Sequence, residues 1–332
     1  MMEKYKSDAW YWKLSKHRNN KRANWHDYHA PCFYMITINR NDLLNLKFSS
    51  LKNIGADRVI IPQVELSECG KIILKELMNI EHQYPSVAVR RWVIMPDHIH
   101  IVIWIKQSIK IGLGGIIGFF KGNVTKRFFE SYPDYKYDRI SVFNPGFHDR
   151  ILTRKGMLNN LFKYVEDNPR RALIRRSQKD FFNKCKVSIG GIIFSCYGNL
   201  GLMSDPWIMT VRWSSKYGDG EWDKIVYSGR EIARCGGVII SPFIHPLEKD
   251  LMKELLVEGA NVIKLIEYGI GERWHAKGAD FALCSQGKLL LLGKEDIGIG
   301  PHLVSRSESL QLNAEARWIA DSLKRGRFQI ID

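Results

Sequence analysis

The run Val93-Ile94-Met95-Pro96-Asp97-His98-Ile99-His100-Ile101-Val102-Ile103-Trp104 constrains this chain more than any other stretch. Pro96-Asp97 interrupts two β-rich segments, Val87–Met95 and His98–Ile105, which read as neighbouring strands. Side chains alternate along a strand, so His98 and His100 project from one face, roughly 7 Å apart along the chain. Ile99, Ile101, Ile103 and Ile105 then fill the opposite face. Two imidazoles side by side on a rigid strand suit a divalent metal. Two polar residues on a solvated face is the plainer reading, and a His-x-His motif alone does not separate the two.

A length of 332 residues points to two domains, and an apolar share of 45% supplies a core for each. No stretch reaches the roughly 18 apolar residues of a membrane span. The start, Met1 to Lys21, is polar and basic and lacks the apolar core of a signal peptide. The expectation is a cytoplasmic protein without a membrane partner. Cys32, Cys69, Cys185, Cys196, Cys235 and Cys284 form no C-x-x-C pair and read as reduced, mostly buried thiols.

Charge divides the chain. Residues 1–186 hold 33 Lys and Arg against 17 Asp and Glu, whereas residues 187–332 hold 17 against 18. A basic half attracts polyanions through phosphate contacts and counterion release. The domains are therefore expected at 1–186 and 187–332. In the first, strands at Phe33–Asn39, Val87–Met95 and His98–Ile105 alternate with helices at Gly70–Tyr84, Gly115–Tyr132 and Lys155–Asp167. That order predicts an α+β domain with an antiparallel sheet.

The segment Asn160-Leu161-Phe162-Lys163-Tyr164-Val165-Glu166-Asp167-Asn168-Pro169 places Tyr164 and Asn168 four residues apart on one helix face. A phenol there can act as a nucleophile beside an amide oxygen. A core tyrosine followed by an Asn-Pro helix stop fits the same residues. Pro169 disfavours helical backbone at Asn168, so the helix is expected to end there.

Taken in order, Met95-Pro96-Asp97-His98-Ile99-His100, then Ile116-Ile117-Gly118-Phe119-Phe120-Lys121, Phe147-His148-Asp149-Arg150-Ile151-Leu152, and Tyr164 with Asn168-Pro169 resemble the REP-associated tyrosine transposases. These belong to the single-tyrosine HUH transposases, and the resemblance covers roughly residues 30–180. It implies a ferredoxin-like domain whose sheet carries the histidines. It also implies catalytic Tyr164 and a Mg²⁺ or Mn²⁺ ion held by His98, His100 and Asn168. The implied reaction is cleavage and rejoining of single-stranded DNA, with hairpins of repeated palindromes as substrates, through a 5′-phosphotyrosine. A free phenol is protonated at neutral pH, so something must take its proton. The sequence does not name that base.

DNA contacts are expected from Lys121, Lys126, Arg127, Arg150, Arg154, Lys155, Arg170 and Arg171, with Arg175 and Arg176 beyond. The N-terminal mixture of Trp10, Tyr11, Trp12 and Trp25 with Lys13, Lys16, Arg18, Lys21 and Arg22 suits base stacking joined to phosphate contact. Transposases of this kind are usually shorter, and the extra half reads as a smaller Rossmann-like α/β domain. Its expected strands are Gly236–Ser241, Asn261–Leu265, Asp280–Cys284 and Lys288–Leu292, with helices at Pro246–Glu258 and Asn313–Leu323. It is loosely similar to the Rossmann-like domain of DNA-processing protein A. A DNA- or RNA-binding regulator without catalysis is the alternative. A monomer and a homodimer, with Tyr164 acting in cis or in trans, both stay open.

Overall fold

The structure, a computed structural model, describes residues 22–56, 59–137, 139–154, 156–271, 274–294 and 304–331. It separates into two compact units, up to Ile174 and from Arg175 onward. The division precedes the charge break because strand β7 (Asn183–Ile189), which holds Lys184 and Lys186, belongs to the second sheet.

The first unit runs β1 (Cys32–Asn39), β2 (Ser49–Asn53), β3 (Pro62–Leu66), α1 (Glu68–Gln83), β4 (Val87–Ile94), β5 (His98–Ile105), α2 (Leu113–Ser131), the short α3 (Pro133–Tyr137), β6 (His148–Ile151) and α4 (Met157–Ser177). Four strands form an antiparallel sheet in the order β4-β5-β1-β6. Without the β2–β3 hairpin and α3 the order is β-α-β-β-α-β-α, which is the expected strand, helix, strand, strand, helix, helix with β6 added before the last helix. Strand alternation gives this sheet two buried faces. Ile99, Ile101, Ile103 and Ile105 join Tyr34, Ile36 and Ile38 of β1 against α1 and α2. Each isoleucine contributes roughly 1.5–3 kcal/mol relative to exposure. On the other face, Met35, Val93 and Val102 pack with Leu161 and Val165 of α4. The sheet is thus covered on both sides, and α4 lies on the histidine side.

Helix α1 starts where the Ser67 side chain accepts from the Gly70 N–H. α4 departs from expectation. It begins at Met157 and continues through Pro169 to Ser177 instead of ending at Asn168. Proline removes one backbone donor, but Leu161, Val165, Asn168, Leu173 and Ile174 are buried on both sides of it. Burial of that stripe outweighs the lost hydrogen bond.

The second unit has a seven-stranded sheet in the order β13-β7-β8-β12-β11-β10-β9. β8 is Ile192–Gly198, β9 Ile208–Thr210, β10 Val238–Ser241, β11 Asn261–Ile266, β12 Leu289–Lys294 and β13 Phe328–Ile331. Helices α5 (Glu221–Arg234), α6 (Pro246–Glu258) and α7 (Gly278–Ser285) connect β9 to β12, and α8 (Arg306–Lys324) follows. β9 through β12 are mutually parallel, while β8, β7 and β13 run antiparallel, so the sheet is mixed rather than parallel throughout. Gly190 and Gly191, at φ 54° and 88°, make the tight turn of the β7–β8 hairpin. Asp280–Cys284 lies in helix α7, not in a strand: Phe281 and Cys284 are buried three residues apart, which is helical spacing. Cys185 and Cys196 face each other across β7 and β8 as free thiols. No helix among the described residues is long and apolar enough to cross a membrane.

Candidate active site

The site lies on the sheet face that α4 covers. His98 opens β5 and His100 follows two residues on, with ring centroids 4.7 Å apart and planes at 71°. Each ring is anchored through Nδ1. His98 Nδ1 lies 2.7 Å from Asp97 Oδ1, and His100 Nδ1 lies 2.9 Å from Thr37 Oγ1. Thr37 is the direct partner of His100 in the β1–β5 register. No group among the described residues hydrogen-bonds either Nε2.

Burial decides the charge state of His100, whose relative exposure is 6%. Desolvation, reinforced by the His98 imidazole and opposed by Asp97, pushes its pKa down to about 3. It is therefore neutral at physiological pH, the form that ligates metals. The hydrogen bond from His98 holds the Asp97 carboxyl below the ordinary carboxylate range.

Tyr164 reaches this face from α4. Its ring centroid is 5.7 Å from that of His100, and the Arg171 guanidinium carbon lies 5.9 Å from the phenol ring centroid on the same helix. Leu161, Val165 and Asn168 recur at helical spacing and are buried, which seats this side of α4 on the sheet. Asn168, one turn beyond Tyr164, is 8% exposed. Two unengaged Nε2 atoms and the Asn168 amide oxygen are of the types that make an N,N,O donor set for a divalent metal. Among the described residues there is no cluster of three or more His, Cys, Asp or Glu suited to a metal.

The basic residues fall into different settings. Arg150 is exposed on β6, and its register with Met35 puts it on the histidine face. His148, paired with Thr37, shares that face and is also exposed. Lys121 is turned inward: its Nζ donates to the carbonyls of Asn144 and Gly146 at 2.6 and 2.8 Å, and burial lowers its pKa. With Lys126, Lys136, Phe129 and Phe143 it lines a groove of about 690 Å³ along α2. Arg127 is shared between Glu130 and Glu76, and Arg170 pairs with Asp167. Arg154 has partners of its own. Lys155 and the residues from Trp10 to Lys21 lie outside the described residues. Trp25 is exposed, and the Arg22 guanidinium sits over the rings of Tyr28 and Phe147. The sequence reading gave Thr37 and His148 no place in the site: strand register sets Thr37 opposite His100 and His148 opposite Thr37.

Residues 65–168, from the end of β3 to Asn168, match the family model for the IS200-like transposases. An uncharacterized protein of Haemophilus influenzae is 23% identical over 176 residues, which cover 46% of this chain and 88% of that protein. A solved REP-associated tyrosine transposase bound to a REP hairpin overlaps 44% of this chain and 72% of its own, at 13% identity and a TM-score of 0.30. A putative transposase from Deinococcus radiodurans overlaps 43% and 95%, at 16% identity and a TM-score of 0.26. Overlaps that low add no weight, and the assignment rests on the family match. The matched segment holds both histidines, Tyr164 and Asn168, and over it the chain is similar to the IS200-like transposases.

Proposed function

We propose that the chain is a metal-dependent single-stranded DNA transposase that cleaves and rejoins DNA through Tyr164. The observation that carries this reading is the approach of Tyr164 to the His98–His100 pair within one chain. That arrangement also favours a tyrosine acting in cis. The order β1-α1-β4-β5-α2-β6 supports a ferredoxin-like unit as the scaffold. The parallel β9–β12 segment supports a Rossmann-like core in the second unit, with a DNA-binding or ligand-binding role.

His98, His100 and Asn168 would hold Mg²⁺ or Mn²⁺. When bound, the ion supplies Lewis-acid polarisation of a backbone phosphate. The Tyr164 oxygen attacks that phosphorus. The new Oη–P bond replaces the P–O3′ bond, leaving a 5′-phosphotyrosine and a 3′-hydroxyl. The phenol gives up a proton and the departing 3′ oxygen takes one, so the exchange is balanced and can be reversed to rejoin strands without ATP. Arg171, beside the phenol ring, adds positive charge where anionic oxygen develops. Arg150 offers an exposed phosphate contact on the same face.

The substrate follows from the resemblance: folded single strands, with hairpins of repeated palindromes first among them. The test is incubation of labelled hairpin DNA with Mn²⁺ and either wild type or Tyr164→Phe, read on a denaturing gel. A covalent protein–DNA band that needs both the metal and Tyr164 supports the proposal. Binding without any adduct across a broad oligonucleotide pool would replace it with the regulator reading.

A further inference from the structure

Both imidazoles are held at the same atom by different means. His98 Nδ1 meets the carboxylate of the residue before it, and His100 Nδ1 meets a hydroxyl from the neighbouring strand. We infer that Thr37 and Asp97 are positioning residues, which turn the two rings so that both Nε2 atoms are available to one divalent cation. The inference deepens the proposed metal-dependent reading and rests on it.

An imidazole has a broad rotation about its second side-chain torsion. Turning it over exchanges the places of Nδ1 and Cδ2 and carries Nε2 away from its former position. An acceptor at Nδ1 removes that freedom. The Asp97 carboxylate only accepts, so it puts the His98 proton on Nδ1 and leaves the lone pair on Nε2; the Thr37 hydroxyl does the same for His100 where it accepts from Nδ1. The two anchors are not equivalent. Asp97 brings a charge and lies in the turn before β5, whereas Thr37 is neutral and belongs to the centre of the sheet. Thr37 therefore holds its ring through a neutral hydroxyl and Asp97 through a carboxylate. Neither would touch DNA or the reacting phosphate through its Nδ1 contact.

The experiment is titration of the purified full chain with Mn²⁺ alone, without DNA, reading free Mn²⁺ by electron paramagnetic resonance. Wild type is compared with His100→Ala, Asp97→Ala, Thr37→Val and Thr37→Ser. Loss of an outer partner of a metal-bound histidine weakens affinity by about 10–100-fold. Thr37→Val and Asp97→Ala are expected in that range. Thr37→Ser, which keeps the hydroxyl, is expected within a few-fold of wild type. A second readout is independent of metal. Long-range ¹⁵N–¹H correlation on the metal-free protein is expected to show His100 protonated at Nδ1 in wild type and Thr37→Ser, with a shift toward Nε2 in Thr37→Val.

If His100→Ala abolishes binding while Thr37→Val matches wild type in both readouts, the positioning role is overturned and the metal site stands. If wild type binds Mn²⁺ no better than His100→Ala, the metal-dependent reading fails and this inference falls with it. Valine keeps the β-branched shape of threonine, and equal melting temperatures in EDTA separate a positioning effect from loss of fold.

Discussion

His100 and Tyr164, one on a central strand and the other on the helix that covers it, bring their rings to 5.7 Å between centroids. The helix can do this because Leu161 and Val165 bury against Met35, Val93 and Val102, which share the imidazole face of the sheet. Packing of one apolar stripe thus delivers a phenol to a pair of histidines. The juxtaposition lies within one chain.

Tyr164→Phe keeps the ring and its packing but removes the oxygen that would attack phosphorus. Covalent adduct formation should fall by on the order of 10³-fold or more. Hairpin DNA binding, measured by fluorescence anisotropy, should stay within a few-fold. An equal loss of both would place Tyr164 in binding instead of chemistry.

The buried His100 makes stability depend on pH in a defined direction. Its folded pKa of about 3 lies below the ordinary imidazole value of 6.5, because desolvation disfavours the charged ring. Between those values the unfolded chain binds a proton that the folded one does not. The stability tied to neutral His100 is therefore fully present above 6.5 and is lost progressively as pH falls toward 3. In EDTA, the drop in melting temperature from pH 8 to pH 5 should be smaller in His100→Asn than in wild type. An identical drop in the two proteins would contradict a neutral buried imidazole.

The histidine strand was legible because its alternation is strict, and β5 runs from His98 to Ile105 as read. Tyr164 and Asn168 share a face by simple helical spacing. The continuation of α4 past Pro169 was not legible, since local backbone preference argues for a stop and only the tertiary burial of Leu173 and Ile174 opposes it. Thr37 and His148 were invisible for another reason. They become neighbours of the site through the β1–β5 and β1–β6 registers, and register is a long-range property. In the second unit, Asp280–Cys284 is a run too short for periodicity to choose between strand and helix.

Lys121 and Arg150 should respond differently to substitution although both are basic. Lys121 donates to two carbonyls that close the loop at Asn144 and Gly146, so its charge is already engaged. Arg150 stands exposed beside the site. Arg150→Gln should reduce the slope of log K against log salt for hairpin binding by about 1, the signature of one lost phosphate contact. Lys121→Met should leave that slope unchanged and instead lower stability by about 1–3 kcal/mol through the carbonyls it abandons. A slope change in Lys121→Met equal to that of Arg150→Gln would show that its amine leaves the loop to meet DNA.

Pro169 sets local backbone preference against the geometry of the site. Within α4 it leaves the Val165 carbonyl without its normal donor, which costs a helix interior up to about 3 kcal/mol relative to alanine. Pro169→Ala restores the donor. It also removes two buried methylene groups, worth roughly 0.8 kcal/mol each. The balance favours the variant by about 1 kcal/mol, seen as a raised melting temperature. Asn168 precedes the proline, and its backbone is the one the ring restricts. If that restriction aims the amide toward the histidines, the stabilised variant should bind Mn²⁺ more weakly and form adduct more slowly than wild type. A variant both more stable and fully active would instead mean that Asn168 is placed by burial alone and that Pro169 has no part in shaping the site.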